Sequence, residues 1–243
     1  MLTLIAIAAF ASTILGGLFA LHLKDRLHLV LGFSAGAVLG VAFFDLLPEA
    51  FELANGAHEP STIFTLVAIG FVGYLIVDRV LFFHGCGGCL HTDGAAHHEH
   101  RGVLGAGSLS FHSFLDGFGI GLAFQVSTAV GIVVALAVLA HDFSDGINTV
   151  NMIIKNNGDR KRAFKWLFAD ASAPVLGIVV AQFFALPSAQ LGLLLALFAG
   201  FFLYIGASDL LPESHHAHPV KWTTFMTILG IALLYLVIRL AGV

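Results

Sequence analysis

The sequence predicts an all-α integral membrane protein: eight transmembrane helices in an inverted-repeat 3+2+3 bundle, with both termini outside. The 243-residue chain is 58% hydrophobic and only 11% charged. Its mean hydropathy is +0.94, far more apolar than a soluble domain. The apolar residues fall into eight runs, each of roughly 20 residues or more, the length that crosses about 30 Å of hydrocarbon. A pentapeptide near the end of the second run, Asp45-Leu46-Leu47-Pro48-Glu49, returns near the end of the seventh as Asp209-Leu210-Leu211-Pro212-Glu213. The net charge of −4 decides little, because the location of the charges matters more than their sum; the lack of a basic stripe excludes a nucleic-acid-binding protein.

Breaking the runs at charged, Pro, Gly and Asn clusters gives segments 1–22, 28–53, 61–83, 102–125, 129–154, 163–186, 188–212 and 220–241. The first has no cationic leader and flows into further apolar sequence, so it reads as a membrane helix rather than a cleaved signal peptide. Cys86 and Cys89, the two cysteines, do not form a disulfide framework. With eight crossings the connecting loops divide into two sets. Lys24, Arg26, Arg79, Arg101, Lys155, Arg160, Lys161, Arg162, Lys165 and Lys221 fall on one side, and Arg239 alone on the other. The positive-inside rule then places the termini outside and the loops 84–101 and 155–162 in the cytoplasm. The chain reads as one transmembrane domain, residues 1–243, with a His/Cys-rich cytoplasmic loop at 84–101.

In this topology the second helix runs outward and the seventh inward. The two pentapeptides therefore lie at opposite membrane faces, as an inverted repeat places them, with the fourth and fifth helices as the central pair. Those two helices carry a second duplication: His112-Ser113-Phe114-Leu115-Asp116-Gly117 and His141-Asp142-Phe143-Ser144-Asp145-Gly146. A His and an Asp four residues apart on a helix share a face, so each copy offers an imidazole and a carboxylate to one point. His112, Asp116, His141 and Asp145 make a candidate four-ligand metal site. Asp142, rotated from His141, forms a neighbouring position with Ser113 and shared carboxylates.

Ionisable groups inside a membrane are costly and mark function by default. Neutral imidazole and carboxylate suit Zn²⁺, and they also accept Fe²⁺, Mn²⁺ or Cd²⁺. The bland reading is a set of hydrogen-bonded pairs joining helices, and the duplication weighs against it. Gly117, Gly119 and Gly121 suit a tight helix pair or an ion path equally. Asp170, one turn before Pro174, is the leading candidate for an additional ligand; a helix-end carboxylate near Lys165 and Trp166 is the alternative.

The loop carries His84, Cys86, Cys89, His91, Asp93, His97, His98, Glu99 and His100, a metal-binding composition on the reducing side of the membrane. It reads as a metal-capturing or sensing loop, with a plain linker as the alternative. His215, His216 and His218 follow the seventh helix as a candidate exit relay, and Asp45, Glu49, Glu52, His58 and Glu59 form a candidate acidic approach on the other face. Ordinary solvation of helix ends is the alternative, and the favoured one for Glu52, His58 and Glu59.

With these residues in place, the chain resembles the ZIP (Zrt/Irt-like protein) family of divalent metal transporters over essentially its whole length. The stretch from His112 to Gly121, the paired His/acid motifs and the repeated L-L-P-E ends carry the resemblance. It implies a binuclear site with His112, Asp116, His141 and Asp145 as primary ligands and Ser113, Asp142 and shared acids at the second position. It also implies import of Zn²⁺ and related ions across the cell (inner) membrane, and a homodimer.

The chain departs from the family pattern where Leu115 and Ser144 stand in place of Pro, Asp116 and Asp145 in place of Glu, and Ala173-Pro174 in place of Glu-Pro. Asp170 would then compensate at the second position. The competing functional class is a membrane-embedded zinc hydrolase, which needs three ligands and an open position but has no use for matched features at both faces. A metal sensor ranks last, for want of an output domain.

Overall fold

The computed structural model describes residues 1–20, 27–83, 95–156, 158–215 and 221–241. All regular structure among them is helical. We number eight helices: α1 Leu2–Phe19, α2 over 27–54, α3 Pro60–Phe83, α4 Ala95–Val126, α5 Thr128–Lys155, α6 Arg160–Ala181, α7 over 188–215 and α8 Lys221–Ala241. Seven of them are individually long and apolar enough to cross a membrane. The eighth is α4, whose mean hydropathy is lowered by the His, Asp and Gly residues of its own motif.

Local chemistry fixes the ends. Ser127 caps α5 by accepting a hydrogen bond from the Val130 N–H at 3.1 Å, and Asp159 caps α6 by accepting from Arg162 N–H at 2.8 Å. The turn after α2 needs a left-handed residue, supplied by Gly56 at φ 78°.

Several boundaries differ from the sequence expectation; α7, for example, runs on to His215, three residues past the expected end. Asp159 starts α6 three residues early, so Arg160, Lys161 and Arg162 belong to its first turn. The same helix stops at Ala181, short of the apolar Phe183 and Phe184, whose N–H groups, with that of Gln182, donate to the carbonyls three residues back, a tightened last turn that ends the α-helix before Pro187. At the other end of the site, α4 reaches back to Ala95, so residues 95–101 are helix rather than loop. Residues 84–94, with His84, Cys86, Cys89, His91 and Asp93, lie outside the described residues, as do His216 and His218.

The repeated pentapeptide has a structural counterpart. Helix α2 passes through a π-helical turn at Ala42–Leu46, and α7 through one at Ile205–Leu210. Each turn comes just before a proline, Pro48 or Pro212, whose ring would clash with the carbonyl four residues back in a regular helix; widening that turn relieves the clash.

The helices pack as two sets, α1, α4, α5 and α6 in one and α2, α3, α7 and α8 in the other. In the first, α4 packs on α6 as α5 packs on α1; in the second, α2 packs on α8 as α7 packs on α3. Close-approach glycines repeat in the same register. A Cβ on Gly16 of α1 would strike the Phe143 carbonyl of α5, and one on Gly177 of α6 would strike the Phe114 carbonyl of α4, the same motif position. Likewise Gly36 meets Thr227 and Gly230 meets Phe33, while Gly200 meets Val67 and Gly70 meets Leu197. The interval from Gly36 to Gly200 equals that from Asp45 to Asp209. Equivalent helices lie five apart in the chain, or one apart for α4 and α5, always an odd number, and so run in opposite directions.

The central helices are α5, α2 and α7, whose membrane windows are 72%, 67% and 61% buried; those of α1, α3 and α8 are 22%, 17% and 22% buried. The outer helices turn large apolar side chains outward, among them Leu4, Ile7, Phe64, Ile76, Phe168 and Leu236. Such a girdle, with backbone groups satisfied within the helices, is the surface of a multi-pass protein in lipid.

Candidate metal centre

Helices α4 and α5 each bring one His and one Asp to a common point. Atoms from His112, Asp116, His141 and Asp145 lie within 4.8 Å of one another, and none of the four residues is more than 4% exposed. The Nε2 atoms of both histidines lie 3.1 Å from Asp116 Oδ2, and they lie 3.6 Å (His112) and 3.9 Å (His141) from Asp145 Oδ2. These are the four residues the i, i+4 spacing selected.

The motif glycines let flanking helices approach. Gly117 lies against the Pro174 carbonyl of α6, and Gly146 against the Thr13 carbonyl of α1. The tight pair that Gly117 serves is thus α4 with α6, and Gly121 extends the same contact to Ala181. Ser34 of α2 donates to the Ala140 carbonyl at 2.6 Å, one residue before His141, and braces α5 from the opposite set.

Charge balance shows what this cluster can hold. Two carboxylates and two neutral imidazoles are neutralised by one divalent cation. In its absence Asp116 Oδ1 and Asp145 Oδ2 are buried without a hydrogen-bond partner, which is costly in a low-dielectric interior. The His141 Nδ1–H donates to the Ala137 carbonyl at 3.0 Å, leaving the Nε2 lone pair directed at the cluster.

Beside this cluster lie Asp142, Ser113 and Asp170, all fully buried. Both oxygens of Asp142 are without partners. Asp170 is held at both: Oδ1 accepts from the Ser113 hydroxyl and Oδ2 from the Thr149 hydroxyl, each at 2.8 Å. Ser113 Oγ also lies 3.1 Å from the Leu109 carbonyl, so its one proton is shared between that carbonyl and Asp170, and its oxygen keeps lone pairs that a cation could use. Asp170 is drawn into the centre rather than left at the helix end near Lys165.

Thr149 escaped the sequence reading, although it stands four residues beyond Asp145 on the same face of α5. Tyr74 of α3 also escaped it; its hydroxyl lies 2.7 Å from His112 Nδ1, and a single tyrosine in an apolar helix gives no signal. Asp45 is buried with both oxygens unpartnered, while the side chains of Asp209, Glu213 and His215 lie outside the described residues.

The sequence model described as ZIP Zinc transporter matches residues 91–238, more than half the chain and both copies of the motif. The chain belongs to the ZIP zinc transporter family. It is similar along its length to two proteins named zinc transporter ZupT. The one from Corynebacterium aurimucosum is 25% identical over 239 residues, covering 92% of this chain and 90% of the relative. The one from Corynebacterium glutamicum is 29% identical over 249 residues, covering 92% and 94%. Zinc transporter zipt-7.2 of Caenorhabditis elegans is 31% identical over 135 residues, covering 52% of this chain and 29% of the relative. Membership of the ZIP family makes the chain a divalent-metal transporter and not an enzyme, and the buried His/Asp cluster fits that role.

Proposed function

We propose that the chain carries Zn²⁺, and with it Fe²⁺, Mn²⁺ or Cd²⁺, across the cell membrane into the cytoplasm. His112, Asp116, His141 and Asp145 ligate the primary ion; Asp142, Ser113, Asp170 and shared carboxylates form a second position. The observation that carries this reading is the convergence of the four buried groups, with orphaned carboxylate oxygens, between two packed helices. A conducting site must hold an ion and also release it, and a set with no thiolate suits that compromise.

Orientation follows the positive-inside rule, with termini outside and the His/Cys-rich segment 84–101, whose last residues 95–101 begin α4, in the cytoplasm as a metal-capturing segment of a single transmembrane domain. Access alternates by one helix set sliding against the other. The assembly is the homodimer that the family resemblance implies, which light scattering on the purified protein tests. Flux of a panel of divalent ions into vesicles tests the rest. We expect His112→Ala and Asp145→Ala to abolish uptake while folded protein still reaches the membrane; normal uptake of every ion by both variants would reject the ligand assignment.

A further inference from the structure

His112 is engaged at both ring nitrogens. Its Nε2 faces Asp116 and Asp145, while its Nδ1 lies 2.7 Å from the Tyr74 hydroxyl. Tyr74 belongs to α3, which packs on α7 in the helix set that carries none of the four site residues. An aromatic wall fixes the tyrosine: its ring meets His112 edge-on at 6.0 Å, Phe201 at 5.8 Å and Tyr204 at 5.3 Å. Tyr204 in turn donates to Asp78 Oδ2 at 2.8 Å, joining α7 to α3.

The two site histidines are held differently. A carbonyl only accepts, so the Ala137 bond fixes the hydrogen of His141 on Nδ1. A phenol can accept or donate. Were Tyr74 to donate, His112 Nε2 would carry the hydrogen and have no lone pair for a cation, so the metal-competent arrangement has Nδ1–H donating to Tyr74 Oη. The repeat does not duplicate this device. The interval relating Gly70 to Gly230 takes Tyr74 to Leu234 of α8, a buried aliphatic residue that offers no hydrogen bond.

We propose that Tyr74 is a positioning residue for the metal: its hydroxyl accepts the His112 Nδ1 hydrogen, aims the Nε2 lone pair at the ion, and makes that aim depend on the register of the two helix sets. Displacement of α3 along α4 breaks this bond, and the ligand loses its orientation. Metal affinity is then high in the register seen here and lower in any other, which favours release after sliding. The proposal rests on His112 being a ligand.

The test uses Tyr74→Phe in the purified full chain, which keeps the ring in the aromatic wall. Zn²⁺ affinity, measured by competition with a chelating dye, is expected to weaken on the order of 10–100-fold, with the metal-free melting temperature lowered only by the few degrees that one lost buried hydrogen bond accounts for. In a His112→Ala background the same substitution is expected to have no further effect, and Tyr204→Phe, which alters the same wall without touching His112, is expected to bind Zn²⁺ as the parent does. Wild-type affinity in Tyr74→Phe alongside lost affinity in His112→Ala overturns the role of Tyr74. So does a loss equally large in Tyr204→Phe or undiminished in the His112→Ala background. Wild-type affinity in His112→Ala itself overturns the ligand assignment and the proposal together.

Discussion

Replacing Asp142 by Asn is expected to stabilise the metal-free protein and to weaken its response to zinc. Asp142 is 0% exposed and neither oxygen has a hydrogen-bond partner. Besides burial itself, the His141 ring acts on it favourably and the carboxylates of Asp116 and Asp170 act against its charge. Holding an ionised carboxylate there costs several kcal/mol. The amide has the same shape and no charge, but still leaves a buried polar group unsatisfied at about 1–3 kcal/mol. The net gain is then on the order of 1–3 kcal/mol, and at about 2–4 °C per kcal/mol for a chain of this size the melting temperature rises by several degrees. Zinc should reverse the order. An ion at a hundred times its Kd stabilises the wild type by about 2.7 kcal/mol per site, while the variant cannot neutralise an ion at the second position. Thermal unfolding of both proteins in detergent, after chelation and with zinc, reads both effects. A variant that melts below the wild type without metal, or that zinc stabilises equally, would refute the reasoning.

Two further outcomes follow from the packing. Gly117→Ala and Gly146→Ala each place a methyl group on a backbone carbonyl of a neighbouring helix. Each should lower the melting temperature by an amount equivalent to ~1–3 kcal/mol of overpacking, whereas Gly73→Ala, with nothing within 4 Å, should not. Ser113→Ala and Thr149→Val each remove one of the hydroxyls that Asp170 accepts from. Each should cost ~1.5–3 kcal/mol, and each loss should shrink when Asp170 is already Ala, a coupling that a double-mutant cycle measures.

The primary cluster was legible because it depends on local geometry. His112 with Asp116 and His141 with Asp145 each obey the four-residue spacing of a helix, and duplication told the two copies apart from ordinary helix-joining pairs. Asp142 was legible for the same reason, as the residue that breaks the exact repetition. The ends of α6 differ from the hydropathy limits because apolar residues continue past Ala181 through Phe183 and Phe184, while the cap at Asp159 and the tightened turn after Ala181 set the limits. Ser113 reads from its motif position as a candidate ligand; that its hydroxyl also donates to Asp170 depends on a distance between helices that local pattern does not encode.

By itself the sequence determined that the chain is a helical membrane protein with a repeated architecture, and which His and Asp residues share helix faces. Composition, periodicity and i, i+4 spacing are properties of one segment at a time. Only the tertiary structure decided that Gly117 serves α6 rather than α5, that Thr149 and Ser113 hold Asp170, and that Tyr74 reaches His112 from the other helix set. Each of those depends on the distance between segments far apart in the chain, which helix packing sets and local pattern does not encode.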